Sequence, residues 1–239
     1  MMDSRRVLYA LTMASAMLAG WWLFRARRSK LSLKPDQQRG LAVAAFLGAM
    51  LGAKAPFLLE ADWESLRSGT VWLTDGKTII GGIFGGYLAI EVTKWILGIT
   101  TKTGDAFAVP IAVAVAIGRM GCFVAGCCFG TVTTLPWGCE FPLAYDAPGT
   151  LRHPTQWYEV LFHLSAAGLL VLAERKHWLP TQRLKAYLMA YLIYRFFSEW
   201  LRPEPDYAFG FTAYQAASVV LLAILGVLWY ADTRPLQTP

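Results

Sequence analysis

The run Gly118-Arg119-Met120-Gly121-Cys122-Phe123-Val124-Ala125-Gly126-Cys127-Cys128-Phe129-Gly130 closes an apolar stretch that begins near Ala106. That stretch is long enough to cross a bilayer, and Arg119 lies inside it rather than at its edge. A charge in hydrocarbon costs at least ~3 kcal/mol even on lenient insertion scales. Four glycines nearby leave backbone amides uncovered and permit close approach of a ligand or a second helix. An arginine beside bare amides at membrane depth suits an anionic lipid headgroup. The plainer alternative is a structural pair between Arg119 and a buried carboxylate.

Arg195, Glu199 and Arg202 follow the spacing i, i+4, i+7 and share one helical face. Arg195 reads as a second phosphate-binding arginine held in place by Glu199; the alternative is an intrahelical ion pair that only lowers the cost of burial. Glu91 and Lys94, three apart, read as mutual charge neutralisation. Cys122, Cys127, Cys128 and Cys139 are even in number and fall on the side expected to be oxidising. Disulfides or inert packing are the simplest reading. A metal is not expected, because the spacing lacks a C-x-x-C pair and His153 is the only imidazole close by in sequence. A reactive thiolate beside Arg119, at Cys127 or Cys128, is a third reading, since a cation lowers a thiol pKa. His163 and His177 read as ordinary.

The elements that must position these residues are membrane helices. Of 239 residues, 56% are hydrophobic, and they come in blocks of about 20 separated by short charged loops. This excludes a soluble globular domain and leaves an all-α, polytopic membrane protein, one domain over residues 1–239. About seven spans are expected, near 7–24, 40–59, 79–99, 106–125, 157–173, 186–201 and 211–231. The first is followed by Arg25-Ala26-Arg27-Arg28 rather than a cleavage site, so it reads as a retained span. The net charge of +6 sits in loops beside the membrane and reads as a topology signal, not a nucleic-acid surface. The denser basic group (Arg25, Arg27, Arg28, Lys30, Lys34, Arg39, Lys102, Arg175, Lys176, Arg183, Lys185, Arg234) faces the cytoplasm. Arg5, Arg6, Arg67, Lys77, Arg152 and Arg202 fall on the other side. The N-terminus is then outside and the C-terminus inside. In that frame Tyr9, Lys54, Gly81 to Gly86, Arg119, the cysteines, His153 to Glu159, Arg195, Glu199, Arg202, Tyr214 and Gln215 all fall in the outer half of the membrane. One polar site near the outer leaflet is expected.

Taken together, these motifs resemble the prolipoprotein diacylglyceryl transferase family of bacterial inner-membrane enzymes. Tyr9-Ala10-Leu11 resembles the family's Y-G-L. The Gly118–Gly130 run is similar to its signature G-R-x-G-N-F-x-N-G-E-x-x-G. His153-Pro154-Thr155-Gln156-Trp157-Tyr158-Glu159 resembles H-P-S-Q-L-Y-E, and Arg195 through Arg202 with Pro205-Asp206 resembles R-F-x-x-E-F-x-R-x-P-D. Gln215 falls on the last-span glutamine, and Lys54 stands where the family has an arginine. The departures are Cys122 and Ala125 in place of asparagines, Cys127 in place of a glutamate, and Phe84 in place of the histidine of H-G-G.

The resemblance implies transfer of diacylglyceryl from phosphatidylglycerol to a lipobox cysteine thiol, with glycerol phosphate leaving. It implies Arg119, Arg195 and Glu199 as catalytic residues. Tyr9, Gly85, Gly86, Cys122, Gly130, Gln156, Tyr158 and Arg202 would bind substrate. It implies no cofactor, a phospholipid and a prolipoprotein as partners, and a monomer in the inner membrane. Two rivals remain: a related phospholipid-modifying enzyme with another acceptor, using Cys127 or Cys128 itself, and a non-enzymatic lipid-binding protein.

Overall fold

A computed structural model of the chain describes residues 4–28, 31–71, 76, 78–144, 146–204 and 210–233. Lys30, Lys77, Pro205, Asp206 and Arg234 lie outside the described residues. Eight α-helices are present among them: α1 Ser4–Arg27, α2 Pro35–Glu60, α3 Trp63–Ser68, α4 Ile79–Ile96, α5 Gly104–Ala125, α6 Thr155–Arg175, α7 Arg183–Ser198 and α8 Ala213–Thr233. There is no strand among them, only isolated bridges that join Arg152 to Val132 and to Cys139. The fold is all-α and polytopic, as the apolar blocks require.

Six helices, α1, α2, α4, α5, α6 and α8, are long and apolar enough to cross a membrane. The expected span at 186–201 differs. It is the 16-residue α7 continued by a 3-10 turn, Glu199–Leu201. Sixteen residues rise only about 24 Å, and the tighter turn adds about 6 Å. It also carries the charged Arg183, Lys185 and Arg195. Among the described residues six spans are therefore supported by length and composition, with α7 as the shorter helix in the seventh expected position. The others carry large apolar side chains on their surfaces, among them Leu18, Trp21, Trp22, Leu88, Leu161, Leu169 and Val227. Such all-round apolarity fits lipid as the solvent.

The described chain groups into two compact units. The smaller, Arg28–Lys102, is a pair of helices with the short α3 between them. Glycines spaced four apart form the seam: Gly48 and Gly52 on α2, Gly81 and Gly85 on α4. A Cβ on Gly52 would lie 2.2 Å from the Gly81 carbonyl oxygen, and one on Gly85 would lie 2.3 Å from that of Gly48. Bare Cα atoms let the backbones touch, the usual route to helix association where lipid removes the hydrophobic drive. Lys54 is buried and donates from Nζ to the Val71 carbonyl (2.8 Å). Lys94 Nζ bonds both oxygens of Glu91 at 3.1 Å, the neutralising pair expected from their spacing.

The larger unit, Met1–Arg27 with Thr103–Pro239, holds α1 and α5 to α8. One end is fastened by charge. Arg27 Nε donates to Glu174 (3.2 Å). Asp105, at the start of α5, accepts from the Thr181 amide (2.8 Å), the Arg183 amide (3.0 Å) and Arg183 Nη1 (2.8 Å). Lys185 pairs with Asp232. The opposite end is the irregular loop 126–154 that joins α5 to α6.

The seam makes a direct prediction. Gly52→Val places three carbons where the Gly81 carbonyl sits and destabilises by at least about 1–3 kcal/mol, read as a lower Tm of the purified protein in detergent. Gly40→Val, whose Cβ meets nothing within 4 Å, leaves the melting temperature unchanged.

Candidate active site

The large unit buries a cluster of charges where α5, α6 and α7 meet. Arg119 comes from α5, Glu159 from the first turns of α6, and Arg195 from the last turn of α7. Arg119 and Arg195 are 5% and 3% exposed, and Glu159 is 1% exposed. Arg119 grips Glu159 with both prongs, Nε to Oε2 at 2.5 Å and Nη2 to Oε1 at 2.7 Å. This fork matches a planar carboxylate and fixes the guanidinium plane. Arg195 Nη1 stands 3.8 Å from the same Glu159 Oε1, and its Nη2 pairs with Glu199 Oε2 at 2.6 Å. The two arginines therefore converge, as their spacing led us to expect, but on a shared carboxylate that the sequence reading had not assigned to them.

A further layer holds Glu199. The Thr212 hydroxyl donates to Glu199 Oε1 (3.0 Å). Gln215 accepts from the Thr212 amide (3.0 Å) and donates from Nε2 to the Phe196 carbonyl (3.3 Å). The Arg195 guanidinium lies over the Tyr214 ring, 4.7 Å from its centroid. Behind Glu159, His163 is fully buried and its Nδ1 meets the Tyr187 hydroxyl at 2.9 Å.

Hydrogen bonding is incomplete here. Arg119, Arg195 and Arg202 face the two buried carboxylates Glu159 and Glu199, with Glu204 nearby at the edge of the cluster. Arg195 Nη1, Arg202 Nε and the Tyr191 hydroxyl are buried without a hydrogen-bond partner, as is Gln156 Oε1. An unmet buried donor costs about 1–3 kcal/mol, more when charged. Two of the unmet donors are guanidinium N–H groups, the kind of donor an anion satisfies.

The loop beyond α5 brings sulfur to this cluster. Gly126 (φ +76°) ends the helix in the left-handed conformation and turns the chain back. Cys128 is also left-handed (φ +63°), an uncommon state for a residue with a Cβ. It is held there by its carbonyl, which accepts from Arg202 Nη1 (2.6 Å) and from the Thr155 hydroxyl (2.7 Å). The Cys127 carbonyl accepts from Gln156 Nε2 (2.6 Å). The thiol-bearing sulfurs of Cys122, Cys127 and Cys128 lie within 4.8 Å of one another, and all four cysteines are free. The disulfide reading is thus not realised. The neighbouring Cys122 and Cys127 thiols, with Arg119 and Arg202 behind them, hold the Cys128 thiol well below the usual thiol range. Tyr9, on α1, lies in electrostatic reach of all three thiols.

Other expected site residues do different work. Tyr158 accepts from Trp137 Nε1 (2.8 Å) and meets His153 Nδ1 (3.1 Å), within the loop rather than among the arginines. Gly130 is demanded by packing, since a Cβ there would fall 2.5 Å from the Leu201 carbonyl oxygen. Gly85 and Gly86 belong to the smaller unit, where both face α2. The residue that sequence reasoning underused is Glu159. It was visible at the end of the His153–Glu159 motif, and two buried arginines required such a carboxylate. Thr212, Thr155, Tyr191 and His163 gave no comparable signal.

A family model described as prolipoprotein diacylglyceryl transferase matches residues 6–231. A protein of Legionella pneumophila (strain Lens) named phosphatidylglycerol–prolipoprotein diacylglyceryl transferase is 32% identical over 94% of this chain and 90% of its own. A protein of the same name from Coxiella burnetii is 32% identical over 90% of this chain and 86% of its own. One from Clostridium tetani is 31% identical over 82% of this chain and 81% of its own. With motifs, fold and relatives in agreement, this chain belongs to the prolipoprotein diacylglyceryl transferase family.

Proposed function

We propose that this membrane protein transfers the diacylglyceryl group of phosphatidylglycerol to the cysteine thiol of a prolipoprotein. In this reading it works at the periplasmic face of the bacterial inner membrane, with its N-terminus outside and its C-terminus in the cytoplasm. The observation that carries the proposal is the pair of guanidiniums from α5 and α7, joined through Glu159 and left with unmet donors. The names of the relatives supply the substrate classes.

The chemistry follows from what must be neutralised. The glyceryl carbon is attacked by sulfur, the bond from that carbon to the phosphate oxygen breaks, and the electron pair stays on the phosphate. A thiolate is already a strong nucleophile, so the developing negative charge on the leaving group is the larger barrier. Arg119 and Arg195 face that charge with fixed geometry in a water-poor site, the arrangement in which electrostatic stabilisation is strongest. Glu199 orients Arg195, and Glu159 orients both arginines without cancelling them. Arg202 ties the cysteine loop to Thr155 and adds positive potential. Tyr9 and Gln156 supply polar contacts for the headgroup.

Two outcomes test this. Arg119→Ala and Arg195→Ala each lower glycerol phosphate release from labelled phosphatidylglycerol and a lipobox peptide by at least about 100-fold, and neither complements a strain depleted of its own transferase. Full rescue by either would remove the mechanism. Glu159→Gln keeps the shape and removes the charge that aligns both arginines. It lowers kcat about 10- to 100-fold while leaving KM for phosphatidylglycerol unchanged or lower, because the cradle becomes more positive. A rise in KM at constant kcat contradicts the positioning role.

A further inference from the structure

The thiols of Cys122, Cys127 and Cys128 have no place in the phosphate chemistry above, yet the fold gathers them. They come from two elements, the last turn of α5 and the left-handed turn after Gly126. Their sulfurs lie within 4.8 Å of one another without a disulfide. Two of the three backbone carbonyls are clamped, Cys127 by Gln156 and Cys128 by Arg202 and Thr155. All three residues are only partly buried, so none is sealed into the core.

We propose that Cys122, Cys127 and Cys128 form a three-thiolate zinc site whose open fourth position receives the acceptor thiol. The geometry is near what zinc needs. A zinc–sulfur bond of ~2.3 Å at tetrahedral angles sets ligand sulfurs about 3.8 Å apart, so the trio closes by no more than about 1 Å. Thiolates select soft or borderline cations over magnesium or calcium. Three protein ligands with one vacancy is the pattern of catalytic rather than structural zinc.

The inference rests on the transferase reading and supplies its missing half. An acceptor R–SH enters the vacant position, and its proton leaves to water, because a zinc-coordinated thiol is deprotonated outright. The resulting thiolate forms the S–C bond to the glyceryl carbon. The C–O bond breaks with its electron pair on the phosphate oxygen, and glycerol phosphate departs. Zinc is neither oxidised nor reduced, and it is free to take the next thiol. Sulfur ligands thus stand where the family signature has an asparagine and a glutamate, and the site needs no histidine in place of Phe84.

The test uses the full-length protein in detergent. Zinc content by elemental mass spectrometry is about one per chain in the wild type and in Cys139→Ser. It falls at least about tenfold in Cys122→Ser, Cys127→Ser and Cys128→Ser. Cobalt(II) loaded in place of zinc gives sulfur-to-metal charge-transfer absorption that shifts when a lipobox peptide is added, and does not shift with the peptide's Cys→Ser form. Chelation lowers transfer from phosphatidylglycerol more than about tenfold, and added zinc restores it. Equal zinc in wild type and the triple Cys→Ser variant overturns the site, as does binding of copper(I) alone. Transfer that survives chelation overturns the zinc role and leaves the transferase reading intact. Zinc bound in the trio with no glycerol phosphate released under any condition sinks the transferase reading and the acceptor role with it.

Discussion

The bidentate contact between Arg119 and Glu159 is the constraint on which the larger unit depends. A lone guanidinium or carboxylate at this depth would cost several kcal/mol in desolvation, and removing one partner from a buried pair typically costs about 3–5 kcal/mol. Helices α5 and α6 are thereby locked in register at one level. The same carboxylate draws Arg195 from α7 to 3.8 Å. Three helices that share no hydrophobic drive in lipid are indexed to each other through one side chain.

That arrangement satisfies the fold without satisfying every donor. A structural ion pair would have ended with each donor met. Here Glu159 is shared, Glu199 is occupied by Thr212 and Arg195, and buried donors on Arg195, Arg202 and Tyr191 remain open. The plainer reading of Arg119, a carboxylate pair, is correct as to its partner and insufficient as an account of the cluster. The structural and functional readings describe one object, since a pair that only lowers burial cost also presents the arginines in a fixed plane.

The cysteine loop couples to this frame through the backbone rather than through sulfur. Arg202 leaves the 3-10 turn after α7 and reaches the Cys128 carbonyl, while Thr155 and Gln156 reach it and Cys127 from the start of α6. The loop is pinned at two adjacent carbonyls by the two helices that carry Arg195 and Glu159. Thiol positions and arginine positions are thus set by the same elements. In the smaller unit the organising contact is of another kind, backbone against backbone across Gly48, Gly52, Gly81 and Gly85, where the absence of side chains provides the specificity.

Much of this was legible without coordinates. Block hydrophobicity determined an all-helical membrane fold, and helix limits for most spans fell within a few residues, because apolar length is dictated by bilayer thickness. Arg119 and Arg195 stood out because charges in apolar runs are costly and need a partner or a ligand, and i, i+4 spacing alone joined Arg195 to Glu199. Tertiary structure decided what spacing cannot encode. Glu159, forty residues from Arg119, became the shared partner because α6 is packed beside α5. Cys122 and the Cys127–Cys128 pair met because Gly126 and Cys128 turn the chain through left-handed conformations, a path no ligand-spacing rule anticipates. The 16-residue length of α7 matches the expected 186–201, but its start at Arg183 and the change to a 3-10 turn at Glu199 did not show in the apolar pattern.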